Sequence, residues 1–571
     1  MHDLIVRGGT VVDGTGAAPR TADVAVNDGI ITEVGSLTGE AARRTIDADG
    51  LIVTPGFVDI HTHYDGQVSW DPLVTPSSWH GVTTVVMGNC GVGFAPVRPG
   101  KEEWLIQLME GVEDIPGSAL AEGIKWGWES FGEYLTAIEG MSRSIDVATQ
   151  VPHGAVRGYV MGDRGAQNEP ATPADIEAMA EVVRAGMLAG ALGFSTSRTT
   201  LHTAVDGEPV PGTFAAEDEL FGIGRVLGEL GTGVIELAPA GVMGEDLLAP
   251  ASEVAWMRKL SAETGRPISF GLSQHNHEPE AWREVLRLTE EAIKDGADLR
   301  PQVSGRPLNL LIGWQTFHPF ATRETYLKIA DLPLDQRVAQ LRKPEIRAAI
   351  LSEPPADTAA LKVIGTSLDR IFPMGEPPNY EPDAKDSVAA IAARQNRPDE
   401  EVLYDLMMAH DGRELLMFAL LGFSYGNLDA VREMLVHPST ALGLSDGGAH
   451  VGAVCDASMP TFMLTHWARD RPYDRLPLEL VVRKTTMDTA RLYGLGDRGV
   501  IKPGMKADLN VLDFEALALQ LPYVAYDLPA GARRLVQGAT GYVATIVNGE
   551  VTLTSGEDTG ARPGRLVRGA R

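Results

Sequence analysis

The stretch Gly56-Phe57-Val58-Asp59-Ile60-His61-Thr62-His63 decides the fold of this chain. Phe57, Val58 and Ile60 mark a buried strand. A strand sends side chains i and i+2 to one face, so His61 and His63 project together. Two imidazoles fixed side by side form half of a divalent metal site. The bland alternative is a histidine pair that only hydrogen-bonds within a core, and such polar groups are costly to bury without partners.

Outward from this stretch, short apolar runs alternate with helical patterns, as a βα repeat requires. Candidate strands lie within residues 51–63, 82–91, 144–154, 190–197, 233–239, 267–274, 298–305 and 441–450. Thr172 as N-cap, Pro173 after it and Asp175 in the first turn predict the start of one intervening helix. Polar residues gather at the C-terminal ends of these strands, which favours an α/β fold of the (β/α)8 TIM barrel type over an open sheet. Residues 1–55 and 499–571 share another texture, alternating runs broken by turns at Asn27-Asp28-Gly29 and Asn548-Gly549. Both termini together are expected to form a small β-sandwich domain, with the barrel over 56–498. More than a hundred residues, 315–435, are too many for one crossover and are read as an insertion near the barrel mouth. The last residues, from Gly556 on, show no apolar period and read as a frayed tail.

Composition sets limits. With 44% hydrophobic and 22% charged residues the chain can bury a large core. Its net charge of −28 disfavours nucleic acid and anionic membrane partners, because phosphate would be repelled. Cys90 and Cys455 are the only cysteines, which excludes a disulfide framework. No secretory pattern opens the sequence and no apolar run nears the ~20 residues of a membrane span, so a soluble, cytoplasmic protein is expected.

Two further motifs carry chemistry. Asp446, in Leu444-Ser445-Asp446-Gly447-Gly448, is placed to bind a metal, take a proton from its water and pass it to a leaving group. Cys90, in Gly88-Asn89-Cys90-Gly91, supplies a thiolate where flanking glycines let the backbone come close. A lone cysteine is as readily a small buried hydrophobe.

The late SDG, GFVDIHTH after a short β-domain and the run TARLYGLGDRGVIKPGMKADLNVLD resemble the amidohydrolase superfamily. HTHYD, GNCG and GALGFSTS resemble its D-aminoacylase (N-acyl-D-amino-acid deacylase) branch. The resemblance implies a distorted (β/α)8 barrel with a β-sandwich from both termini, one or two Zn2+ ions and hydrolysis of amide bonds. It also implies that His61, His63 and Asp446 form one metal site, with Cys90 in the other. In that branch strands 5 and 6 end in histidines. Here Glu236 stands at the first position, and Ile268–Gln274 lacks both the second histidine and the lysine after it. Glu236 is read as an oxygen ligand, with a substrate contact as the alternative. Candidate substrate contacts are His153, Ser195, Arg198, His275, Gln302, Arg306 and His450; an arginine can grip a carboxylate bidentately, and His450 is read alternatively as supporting the Asp446 carboxylate.

The expected function is metal-dependent cleavage of a C–N amide bond in an N-acyl amino acid or small peptide-like substrate. Cyclic amide hydrolysis or deamination on the same fold stays open, as does a non-catalytic binding scaffold. The insertion and the edges of the β-domain offer surfaces for a homo-oligomer.

Overall fold

The computed structural model describes residues 1–246, 248–354 and 365–569, and the fold is mixed α/β. Strands Phe57–Asp59, Val82–Met87 and Asp146–Thr149 pair in parallel in that order. Val151–Pro152, Gly193–Ser197, Val234–Ala238, Ile268–Gly271, Leu299–Val303 and Ala441–Leu442 form a second parallel series. The two series meet twice. The chain runs from Thr149 directly into Val151, and Thr62 bridges Gly447 in parallel, with His63 N–H donating to Gly447 C=O at 2.8 Å. Each strand thus lies beside its sequence neighbours, and their C-terminal ends point the same way.

The helices between them arise from local chemistry. Thr172 and Asp175 form a reciprocal capping box that starts Pro173–Ala189, and Gly190 ends it in the left-handed region. Met179, Val183 and Met187, four residues apart, turn one stripe of that helix onto the strands. Helices Glu217–Leu230 and Ala249–Thr264 end likewise at left-handed Gly231 and Gly265.

Both termini enter one nine-stranded sheet, in which Leu509–Leu512 pairs antiparallel with Ile52–Pro55. Alternate residues Leu4, Val6, Val24, Val26, Leu509 and Val511 fill its own core. The expected turns are present: Asp28-Gly29 and Asn548-Gly549 both have positive φ, the geometry that joins right-twisted strands by two residues.

One expectation changes. Residues 564–569 are not frayed: Val147 N–H donates to Arg565 C=O at 3.0 Å, Val567 N–H to Val147 C=O at 2.8 Å and Gly569 N–H to Gly190 C=O at 2.9 Å. Backbone hydrogen bonding holds this segment where no apolar period announces it. The stretch 315–435 builds helices plus two of three antiparallel strands, Leu308–Ile312, Ile371–Pro373 and Leu416–Leu421, around a separate core with Trp314, Phe320 and Tyr404. Gly422 N–H reaches Gln274 C=O, just past strand Ile268–Gly271, and Leu311 N–H of the same antiparallel sheet reaches Ala453 C=O. No helix among the described residues is long and apolar enough to cross a membrane.

Candidate metal centre

His61 and His63 follow strand Phe57–Asp59, their rings edge to face with centroids 5.5 Å apart. Cys90 follows strand Val82–Met87. One ligand atom from each of the three lies within 4.8 Å of the others, and all three residues are buried. His61 Nε2 is 3.4 Å from Cys90 Sγ. Ligand atoms on a tetrahedral zinc ion stand roughly 3.4–3.7 Å apart, given bonds of about 2.1 Å to nitrogen and 2.3 Å to sulfur. Asp446 Oδ1 completes the group, 3.3 Å from His61 Nε2 and 3.8 Å from His63 Nε2. Two imidazoles, a thiol and a carboxylate fit a divalent ion of borderline softness.

The backbone around these groups is unusual. Cys90, Leu444, Asp446 and His450 all have φ between 48° and 57°, a region costly for residues with a side chain. Gly88 and Gly91 explain the GNCG spacing: a Cβ on Gly88 would fall 2.5 Å from Gln150 O, and one on Gly91 2.9 Å from Ser197 N. Asn89 Nδ2 donates to Thr62 C=O and Val86 C=O, tying the cysteine loop to the histidine strand.

Supporting groups set the electrostatics. Gln302 Oε1 lies 2.9 Å from His61 Nδ1 and fixes which nitrogen faces the cluster, while Gln302 Nε2 donates to Ser269 Oγ. Burial lowers His63 to about 4, keeping it neutral, the form in which imidazole ligates. Burial opposes ionisation of Asp446, but its bond to His63 and the charges of His61 and His450 hold it well below the usual carboxylate range. Burial pushes Glu236 up to about 7 and the Cys90 thiol well above its ordinary value.

The other residues singled out from sequence divide. Glu236, fully buried, accepts from Cys90 N–H at 2.9 Å and lies 3.7 Å from His61 Nδ1, on the far side of the ring from Asp446. His450 is half-exposed near the cluster. Ser195 is buried against Gly88 C=O and Gly91 N–H. His153 is enclosed by Thr196 and Glu219, each at 2.9 Å. The Arg198 fork is taken by Glu253 and Ala215 C=O, and the Arg306 fork by Asp456 and Cys455 C=O. His275 packs by Gly244, with Glu245 and His277 as its charged neighbours, outside the cluster. Two residues had no signal strong enough to single them out. Glu113, at the end of helix Glu102–Glu113, brings Oε1 within 3.2 Å of His63 Nδ1. His202, bonded to Ser197 Oγ, lies within electrostatic reach of His61, His63, Asp446 and His450.

Residues 44–553 match the amidohydrolase family. The D-aminoacylase of Alcaligenes xylosoxydans xylosoxydans is 27% identical over 578 residues, covering 99% of this chain and 97% of its own. A solved D-aminoacylase structure with a binuclear metal centre aligns with a TM-score of 0.66 at 25% identity over 100% of both chains. N-acyl-D-glutamate deacylase from Bordetella bronchiseptica, solved with zinc and a phosphonate mimic of the tetrahedral intermediate, gives 0.66 at 25% over 99% of each. With both likenesses running the length of the molecule, the chain belongs to the amidohydrolase family, in its D-aminoacylase branch, and is a deacylase-like amidohydrolase.

Proposed function

We propose that this enzyme hydrolyses the amide bond of an N-acyl amino acid or small peptide-like substrate with zinc held by His61, His63, Cys90 and Asp446. The observation that carries this reading is the convergence of those four side chains at one buried point. The strand circuit that positions them is read as a distorted (β/α)8 barrel over residues 56–498, with the terminal segments 1–55 and 499–571 as its β-sandwich and 315–435 as its inserted subdomain. The metal, when bound, supplies Lewis acidity toward the carbonyl and lowers the pKa of water.

The chain's own residues do the rest. Asp446, ionised among the imidazoles, accepts the proton of the attacking water and returns it to the departing nitrogen. Gln302 keeps the His61 Nδ1 proton directed away from the cluster. His450, half-exposed near the cluster, contacts the substrate. Metal stoichiometry distinguishes one ion on this set from two ions with Glu236 as an added oxygen ligand.

Two of the relatives are named for N-acyl-D-aspartate and N-acyl-D-glutamate, so a panel of N-acyl D- and L-amino acids is the direct assay. Asp446→Asn is expected to lower kcat by on the order of a thousandfold while the protein stays folded and retains much of its metal. Activity within severalfold of wild type would remove Asp446 from its role.

A further inference from the structure

Glu113 has no part in the reaction just described, and nothing about its burial is cheap. It ends helix Glu102–Glu113, where the negative end of the helix dipole disfavours an acid. It is 1% exposed. Among the described residues its charge partners are histidines alone: His63 Nδ1 at 3.2 Å from Oε1 and His450 Nε2 at 3.6 Å from Oε2. Oε1 and His63 Nδ1 stand within ion-pair distance, and neither has a hydrogen-bond partner among the described residues. An acid placed this way is best compensated by positive charge on the far side of His63, which is where the ligand cluster lies.

We propose that Glu113 is a positioning residue of the metal centre: its carboxylate accepts the His63 Nδ1 proton and so aims Nε2 at the ion. A ligating imidazole uses one nitrogen for the metal and donates from the other, and a carboxylate acceptor fixes the ring and raises its basicity. His63 Nε2 already faces Asp446, on the cluster side. Gln302 does the same for His61 with a neutral amide; Glu113 does it with a charge. The helix end is also stitched to the loop that carries Asp446. His450 N–H donates to Glu113 C=O, and Gly452 N–H donates to Asp114 Oδ2 at 3.1 Å. Helix, histidine strand and Asp446 loop are thereby held in one register.

This rests on the metal-dependent reading above, and its test separates the two. Full-length wild type, Glu113→Gln and Glu113→Ala are stripped of metal, and zinc affinity is measured by competition with a chromophoric chelator. The visible spectrum of each cobalt-substituted protein and the Tm of each stripped protein are recorded alongside. Glu113→Ala is expected to weaken zinc binding about 10–100-fold and Glu113→Gln less, with shifted cobalt bands and no fall in stripped Tm. Should Glu113→Ala fail to fold, the near-isosteric Glu113→Gln decides. Stoichiometric zinc in the wild type, with affinity within threefold and an unchanged cobalt spectrum in the variants, overturns the role of Glu113 and leaves the metal-dependent reading standing. A wild type that holds no metal overturns both.

Discussion

His153 shows how a side chain with catalytic chemistry can serve structure. Burial lowers its pKa and keeps it neutral, so the counter-charge for Glu219 comes from Arg157, which donates to Glu219 Oε1. Burial works to raise Glu219, but hydrogen bonding to His153 and the charges beside it outweigh that and hold the carboxyl at about 2. Because this folded value lies below the ordinary 4.5, the stabilisation is complete above about pH 4.5 and is lost as pH falls toward 2. Glu219→Gln leaves Arg157 buried without its partner and is expected to cost about 3–5 kcal/mol at neutral pH. Tm measured at pH 7 and pH 3 should show the gap between variant and wild type narrowing on the acid side; an equal gap at both would refute the assignment. At this same scale the sequence exposes His61, His63 and Cys90, because their spacing on strands is local. Glu113 reads from sequence as one more acid on a helix, and Gln302 as a substrate contact, because what they face comes from strands far away in the chain.

At the level of elements, the start of Pro173–Ala189 was legible in Thr172, Pro173 and Asp175, since an N-cap acts within one turn. Thr172 Oγ1 accepts from Asp175 N–H, and Asp175 reaches back to Thr172 N–H. Thr172→Ala should cost about 1 kcal/mol, seen as faster amide hydrogen exchange at Asp175 with turnover unchanged. Unaltered exchange would mean that the cap does not hold this turn. The stretch 315–435 was legible as an excess of length with helical patterns, not as part of a sheet. That Leu308–Ile312 pairs with Leu416–Leu421 depends on contacts about a hundred residues apart, which no local pattern encodes.

Across the whole molecule, Asp146 ties the terminal sheet to the parallel strands. Its carboxylate meets Arg498 Nη1 at 2.8 Å, Lys506 Nζ, Asn548 Nδ2 at 3.1 Å and Arg565 N–H at 2.8 Å. Burial opposes its charge, but Lys506 and Arg498 hold the carboxyl below its ordinary 3.8. Asp146→Asn removes a carboxylate shared by Arg498 and Lys506, which keep Asp497 and Asp508 beside them, and is expected to lower stability by about 1–3 kcal/mol, read as a fall in the Tm of the metal-loaded enzyme. A Tm unchanged within a degree would show that Asp146 does not carry the join between the two parts.

The sequence by itself determined the period-two placement of His61 and His63, the turns at Asp28-Gly29 and Asn548-Gly549, the βα alternation and the family resemblance. All of these are set by steric preferences and hydrophobic spacing over a few residues. Tertiary structure alone decided that Cys90 and Asp446 reach those histidines, that Gln302 and Glu113 stand behind them, and that Arg198 and Arg306 are engaged elsewhere. Parallel strands bring together side chains hundreds of residues apart, and a buried polar group's role is fixed by whichever partner satisfies it.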